Sequence, residues 1–140
     1  MSDDTIRREG GCRCGAIRYS AVEKPLWVAH CHCIDCRRSS GGAMTTWVGY
    51  WDKDVAFDGA TPASYVSSPG VDRQFCSRCG TPMTFASTIF PGEVHLMVGT
   101  FDELDGLLPM VHVWTSEKVS WLDADAHLPM KPQHGAMPRK

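Results

Sequence analysis

Seven cysteines in three tight groups constrain this chain more than any other feature. Cys12 and Cys14 form a C-x-C, Cys31, Cys33 and Cys36 a C-x-C-x-x-C, and Cys76 and Cys79 a C-x-x-C. An odd number cannot close fully into disulfides, and spacings this short suit metal ligation better than structural disulfides. Isolated cysteines usually serve as small apolar core fillers, but fillers have no reason to cluster in this way. The expectation is a fold that gathers these segments around metal ions.

Backbone geometry indicates how they gather. Alternate side chains of an extended chain share a face, so Cys12 and Cys14 point one way and Arg13 the other. The same rule puts Cys31 and Cys33 together and turns His32 away. A C-x-x-C needs a tight turn, and Cys76-Ser77-Arg78-Cys79 is followed by Gly80, which tolerates positive φ. Cys33-Ile34-Asp35-Cys36 has the same spacing but runs into Arg37 and Arg38, so its turn is expected to open into a short helix.

Seven ligands divide naturally as four and three. A closed structural zinc site takes four protein ligands, here Cys12, Cys14, Cys76 and Cys79, while a catalytic zinc takes three and keeps a position for water or substrate. Cys31, Cys33 and Cys36 are that three. The competing arrangement has His30 or His32 as a fourth ligand and two closed sites. Zinc with three thiolates carries a net charge of about −1, which makes it a poor activator of water and a better partner for an incoming thiol. Such a site suits the addition or removal of a small group at a thiol. Arg37 and Arg38 would then balance charge or grip a substrate carboxylate, or else form a solvated helix face.

The scaffold reads as mostly antiparallel β. Short apolar or alternating runs recur: AIRYSAV, PLWVAHC, MTTWVGYW, VAFDG, SYVSS, RQFC, PMTFAS, EVHLMVGTF and MVHVWTS. Gly, Pro, Asp and Ser clusters separate them. The one helical candidate is IDCRRSS, closed by Gly41 and Gly42. The 140 residues suffice for a single domain, expected over 10–128, with flexible segments at 1–9 and 129–140. A net charge of −2 and a pI near 6.3 give no electrostatic case for a nucleic-acid or membrane-surface partner. The N-terminus lacks a signal-peptide pattern and no run reaches membrane-spanning length, so a cytoplasmic location with reduced thiols is expected.

Three stretches, GGCRCGAIRYS, HCHCIDCRRSSGG and FCSRCGTPM, resemble the signature of the glutathione-dependent formaldehyde-activating enzyme family, which includes centromere-protein-V-like proteins. EVHLMVGTFDE and VHVWTSEKVSWL are similar to its later segments, so the likeness runs from about Gly10 to Leu122. The resemblance implies a β-rich, Mss4-like fold (a β-tent) with two zinc ions, the structural one on Cys12, Cys14, Cys76 and Cys79 and the catalytic one on Cys31, Cys33 and Cys36. It also implies a carbon–sulfur lyase that joins formaldehyde to glutathione as S-hydroxymethylglutathione. The alternative from another class is a non-catalytic two-zinc binding or chaperone-like module.

Remaining candidates are weaker. His112 could face the open zinc but is more simply a hydrogen-bonded strand histidine; His95 has less claim, and His127 and His134 lie toward the tail. The five tryptophans, Trp27, Trp47, Trp51, Trp114 and Trp121, could line a pocket, although strand aromatics more often fill a core. Asp102, Glu103 and Asp105 read as a turn with solvated charges. There is no Ser–His–Asp set, phosphate-binding glycine loop or nucleotide fingerprint.

Overall fold

Each of the nine apolar or alternating runs becomes a strand, and a tenth precedes them. The computed structural model describes residues 6–133. Its strands are β1 (Arg8–Gly11), β2 (Ile17–Ala21), β3 (Trp27–Cys31), β4 (Thr45–Trp51), β5 (Val55–Gly59), β6 (Ala63–Ser68), β7 (Val71–Phe75), β8 (Pro82–Ser87), β9 (Glu93–Met97) and β10 (Val111–Val113). The one α-helix, α1, spans Ile34–Ser40. The chain is thus mainly β, in two sheets that do not close into a barrel.

A three-stranded sheet has the order β1-β2-β5, and a seven-stranded sheet the order β10-β3-β4-β9-β8-β7-β6. Every pairing is antiparallel except β10 with β3, which run parallel with His112 opposite His30. Alternation assigns the faces. In β2, Ile17, Tyr19 and Ala21 are buried while Arg18 and Ser20 are less so. They share a core with Val28, Val48, Tyr50 and Leu96 from one face of the large sheet. Residues one position out of phase, Trp27, Cys31 and Trp47, form a separate cluster on the opposite face. One face of the large sheet therefore makes the core and the other makes the site.

The tenth strand, β1, escapes a pattern search because its residues are Arg-Glu-Gly-Gly. Glycine is required by close approach: a Cβ at Gly10 would lie 2.4 Å from the Thr100 carbonyl oxygen and 2.4 Å from the Tyr19 hydroxyl. Because Arg8 and Glu9 pair with Ala21 and Ser20, the regular fold begins two residues before the boundary read from sequence. The outermost parts of the two terminal segments, residues 1–5 and 134–140 with His134, lie outside the described residues. No helix among the described residues is long and apolar enough to cross a membrane.

Candidate metal centres

The C-x-C after β1 and the C-x-x-C after β7 meet, so that the sulfurs of Cys12, Cys14, Cys76 and Cys79 lie within 4.8 Å of one another. Local backbone bonds set this up. The Gly15 amide donates to the Cys12 carbonyl at 3.1 Å and the Gly80 amide to the Cys76 carbonyl at 2.8 Å. Gly80 has φ of +78°, the left-handed geometry that the turn demands. The Ile17 amide donates to Cys12 Sγ at 3.3 Å, and Cys79 Sγ lies 3.1 Å from the Thr81 hydroxyl. That hydroxyl, with the Thr81 and Cys14 amides, brings the Cys79 thiol down to about 5.

The second cluster forms where β3 passes into α1. Cys31 ends the strand, Cys33 caps the helix, and Cys36 sits in its first turn, with all three sulfurs within 4.8 Å. The Cys36 amide donates to Cys33 Sγ at 3.1 Å, so the ligand is also the N-cap. Gly41 closes the helix with φ of +78°, its amide donating to the Arg37 carbonyl at 2.7 Å. Among the described residues no histidine or carboxylate joins the three sulfurs within that distance.

Both clusters fit zinc by donor chemistry and spacing. Sulfurs about 2.3 Å from one tetrahedral ion lie about 3.8 Å apart. The pairs Cys12–Cys14, Cys14–Cys76 and Cys31–Cys36 measure 3.6, 3.9 and 3.7 Å. Thiolates select soft or borderline cations over magnesium and calcium.

Arg73, on β7, was not singled out by the sequence. It is buried, and its Nη2 lies 3.9 Å from Cys36 Sγ. Ser67 accepts from its Nε at 3.1 Å, and its guanidinium carbon stands 5.1 Å from the centroid of Phe85. Contact with the Cys31 sulfur, outweighing burial, brings the Cys36 thiol down to about 5, with Cys33 and the Arg73 guanidinium adding to the effect. Cys31 is pushed up, first by sharing its proton with Cys36 and then by burial.

These sulfurs open onto a cavity of about 770 Å³. Its walls include Trp27, Trp47, Phe85, His95 and Trp114 with Cys31, Cys33, Cys36 and Arg73; none of the other four cysteines lines it. Trp51 and Trp121 are exposed elsewhere. Arg37 and Arg38 are not among the lining residues either. Arg37 Nη1 donates at 3.5 Å to the carbonyl of Glu117, a residue of the cavity wall, and Arg38 is solvent-exposed. The cation at the sulfurs is Arg73, whose parent run RQFC carried only a strand signal.

The histidines divide by strand phase. His30 and His32 lie opposite in phase to Cys31. His32 is fully buried, with Nε2 2.9 Å from His112 Nδ1, while His30 Nδ1 is 2.7 Å from the Thr46 hydroxyl. His112 therefore belongs to a histidine cluster joining β10 to β3. His95 does reach the cavity, its Nε2 3.2 Å from Glu93 Oε1, and burial lowers its pKa despite that carboxylate. Asp102 is not merely a solvated turn charge, because Arg18 grips both of its carboxylate oxygens.

Comparison with known proteins agrees with this arrangement. The family model described as "Glutathione-dependent formaldehyde-activating enzyme" matches residues 7–117. A protein of Halomonas elongata, provisionally named a glutathione-dependent formaldehyde-activating enzyme, is 30% identical over 128 aligned residues, covering 84% of this chain and 81% of that one. An uncharacterized lyase of Schizosaccharomyces pombe is 31% identical over 80 residues, 57% of this chain and 58% of its own. A crystal structure of a Rhodobacter sphaeroides protein shares the fold with a TM-score of 0.61 at 18% identity, over 74% of this chain and 98% of that one. With its cysteines gathered as four and three and the family model spanning most of its length, the chain belongs to the glutathione-dependent formaldehyde-activating enzyme family.

Proposed function

We propose that this protein is a zinc-dependent carbon–sulfur lyase that forms and cleaves the adduct of a small aldehyde with a low-molecular-weight thiol, on the pattern of formaldehyde and glutathione. The observation that carries this reading is the three-sulfur cluster in the wall of a large cavity, with the four-sulfur cluster outside it. Cys12, Cys14, Cys76 and Cys79 would hold a structural zinc, and Cys31, Cys33 and Cys36 a catalytic one with a position left for substrate. When bound there, zinc supplies the positive charge that favours a substrate thiol as thiolate.

The chain's own residues do the rest. Arg73 sets a fixed positive charge beside Cys36, offsetting the excess negative charge of three thiolates. The apolar walls displace water from the reactants and hold them together. In the forward direction the sulfur electron pair forms a C–S bond to the carbonyl carbon. The C=O π pair moves to oxygen, which takes up the proton the thiol released. The reverse reaction breaks the same C–S bond and returns the proton to sulfur.

The test is metal content per chain together with an NMR assay of adduct formation from formaldehyde and glutathione, the spontaneous rate subtracted. Two zinc ions per chain and a rate above background are expected. Cobalt-substituted protein should change its spectrum on addition of glutathione, with only one of two metals responding. No spectral change with any cellular thiol would sink the proposal.

A further inference from the structure

The cavity has to hold the thiol as well as the aldehyde, but the aromatic part of its lining suits neither formaldehyde nor the charged groups of a thiol such as glutathione. Its floor is the second face of the seven-stranded sheet. Cys31 and Trp27 mark the two ends of β3, and His95, Phe85 and Arg73 continue the Trp27 row across β9, β8 and β7, with the Arg73 side chain reaching back to Cys36. Cys31 and Trp27 are four residues apart on β3, so the floor extends about 13 Å at about 3.3 Å per residue.

The floor is aromatic. Ring centroids of Trp47 and Phe85 are 5.9 Å apart, Phe85 and His95 stack at 5.3 Å, and Trp27 stands edge-on to His95 at 4.5 Å. Gly49 makes space for the Trp27 indole, because a Cβ there would fall 2.4 Å from Cε2. The rim continues the apolar surface, with Ile89 75% and Trp114 62% exposed. The one cation in the lining, Arg73, is already engaged by Cys36, Ser67 and Phe85, and the other charged groups are the carboxylates of Asp35, Glu93 and Glu117. A one-carbon aldehyde covers none of this surface.

Resting on the thiol–aldehyde reading above, we propose that the electrophile is an aldehyde with an apolar body, either an aryl ring or an alkyl chain of about six to ten carbons, a length that matches the floor. Its body lies over Trp47 and Phe85 and its carbonyl carbon points to the sulfurs of Cys31, Cys33 and Cys36. The step keeps the same balance: the thiol sulfur bonds to the carbonyl carbon and the thiol proton ends on the new hydroxyl. Each buried methylene should strengthen binding by about fourfold, so selectivity against formaldehyde follows from area alone.

Two measurements on the zinc-loaded protein test this. Calorimetry compares S-hexylglutathione with S-methylglutathione, thioethers that cannot turn over, and S-hexylglutathione should bind at least about tenfold more tightly. Adduct formation with glutathione is then compared for hexanal, benzaldehyde and formaldehyde, and the two larger aldehydes should give at least about tenfold higher kcat/KM. Phe85→Ala should erase most of both preferences. Ile89→Asp probes the same wall from an exposed position, where folding is not at stake, and should narrow them. Equal binding of the two thioethers, or formaldehyde handled as well as hexanal, overturns the assignment while leaving the thiol–aldehyde reading standing. If no aldehyde reacts above background, that reading falls and the assignment with it.

Discussion

Nη2 of Arg73 lies 3.9 Å from Sγ of Cys36, across 37 positions of chain. The contact ties the strand that leads into one sulfur cluster to the helix that carries part of the other. Arg73 is on β7, and the same strand leads into Cys76, a member of the four-sulfur cluster. One strand thus delivers a charge to the cavity and a ligand to the site that anchors it.

Removing that charge should weaken metal retention at the three-sulfur cluster. Arg73→Met keeps the volume but leaves three thiolates without their buried cation, so zinc affinity there should fall about tenfold, equivalent to about 1.4 kcal/mol. Arg73→Lys should restore part of it, since lysine brings the charge without the planar fork. Competition against a chromophoric chelator measures both, and an unchanged affinity in Arg73→Met would show that the contact is packing alone.

The two centres should fail differently. Cys76 is 1% exposed and its cluster ties β1 to β7, so Cys76→Ser should yield insoluble or unfolded protein. Cys36→Ser removes a ligand from a site at the end of a short helix and should leave a folded, inactive protein. Circular-dichroism melts with zinc analysis distinguish them; equal loss of thermal stability in the two variants would contradict the structural and catalytic roles assigned.

Gly49→Val should empty the aromatic floor. The new side chain collides with Trp27, which must leave its place over β4, at a cost of about 1–3 kcal/mol in a central strand. The expected readout is a lowered denaturation midpoint together with weaker S-hexylglutathione binding. Wild-type stability in the valine variant would mean the indole is not confined there.

Acid should loosen the clasp between β2 and the segment that follows β9. Arg18 holds the Asp102 carboxyl below its ordinary range, against a smaller raising effect of burial. A depressed carboxyl stabilises the fold above its unfolded value near 3.9, and that contribution disappears as pH falls through the lower folded value. Both side chains are nearly half exposed, so the effect is at most about 1 kcal/mol after solvent screening. Asp102→Asn should flatten the acid limb of a stability-against-pH curve below about pH 4, as measured by urea denaturation.

Particular residues show why much of this was legible and the rest was not. The short helix at Ile34–Ser40 and its glycine stop follow from local rules, as do nine strands with period-two patterning. Strand β1 was invisible because Gly10 and Gly11 carry no apolar signal, being chosen for close backbone approach. Arg37 and Arg38 adjoin the sulfurs in sequence, yet the guanidinium within reach of Cys36 Sγ comes from another strand.

The amino-acid sequence alone determined that the thiols come in local groups, since sulfur spacing of two or three residues is a local property of extended chain and tight turns. The division into four and three was an expectation from sequence, and the gathering of Cys12 and Cys14 with Cys76 and Cys79 is a long-range contact of the fold. What only the tertiary structure decided is what stands around the three sulfurs. Residues such as Arg73 and His95 have no local mark of function; sheet register and strand order place them on either side of Phe85 on the cavity floor, and those depend on contacts between distant parts of the chain.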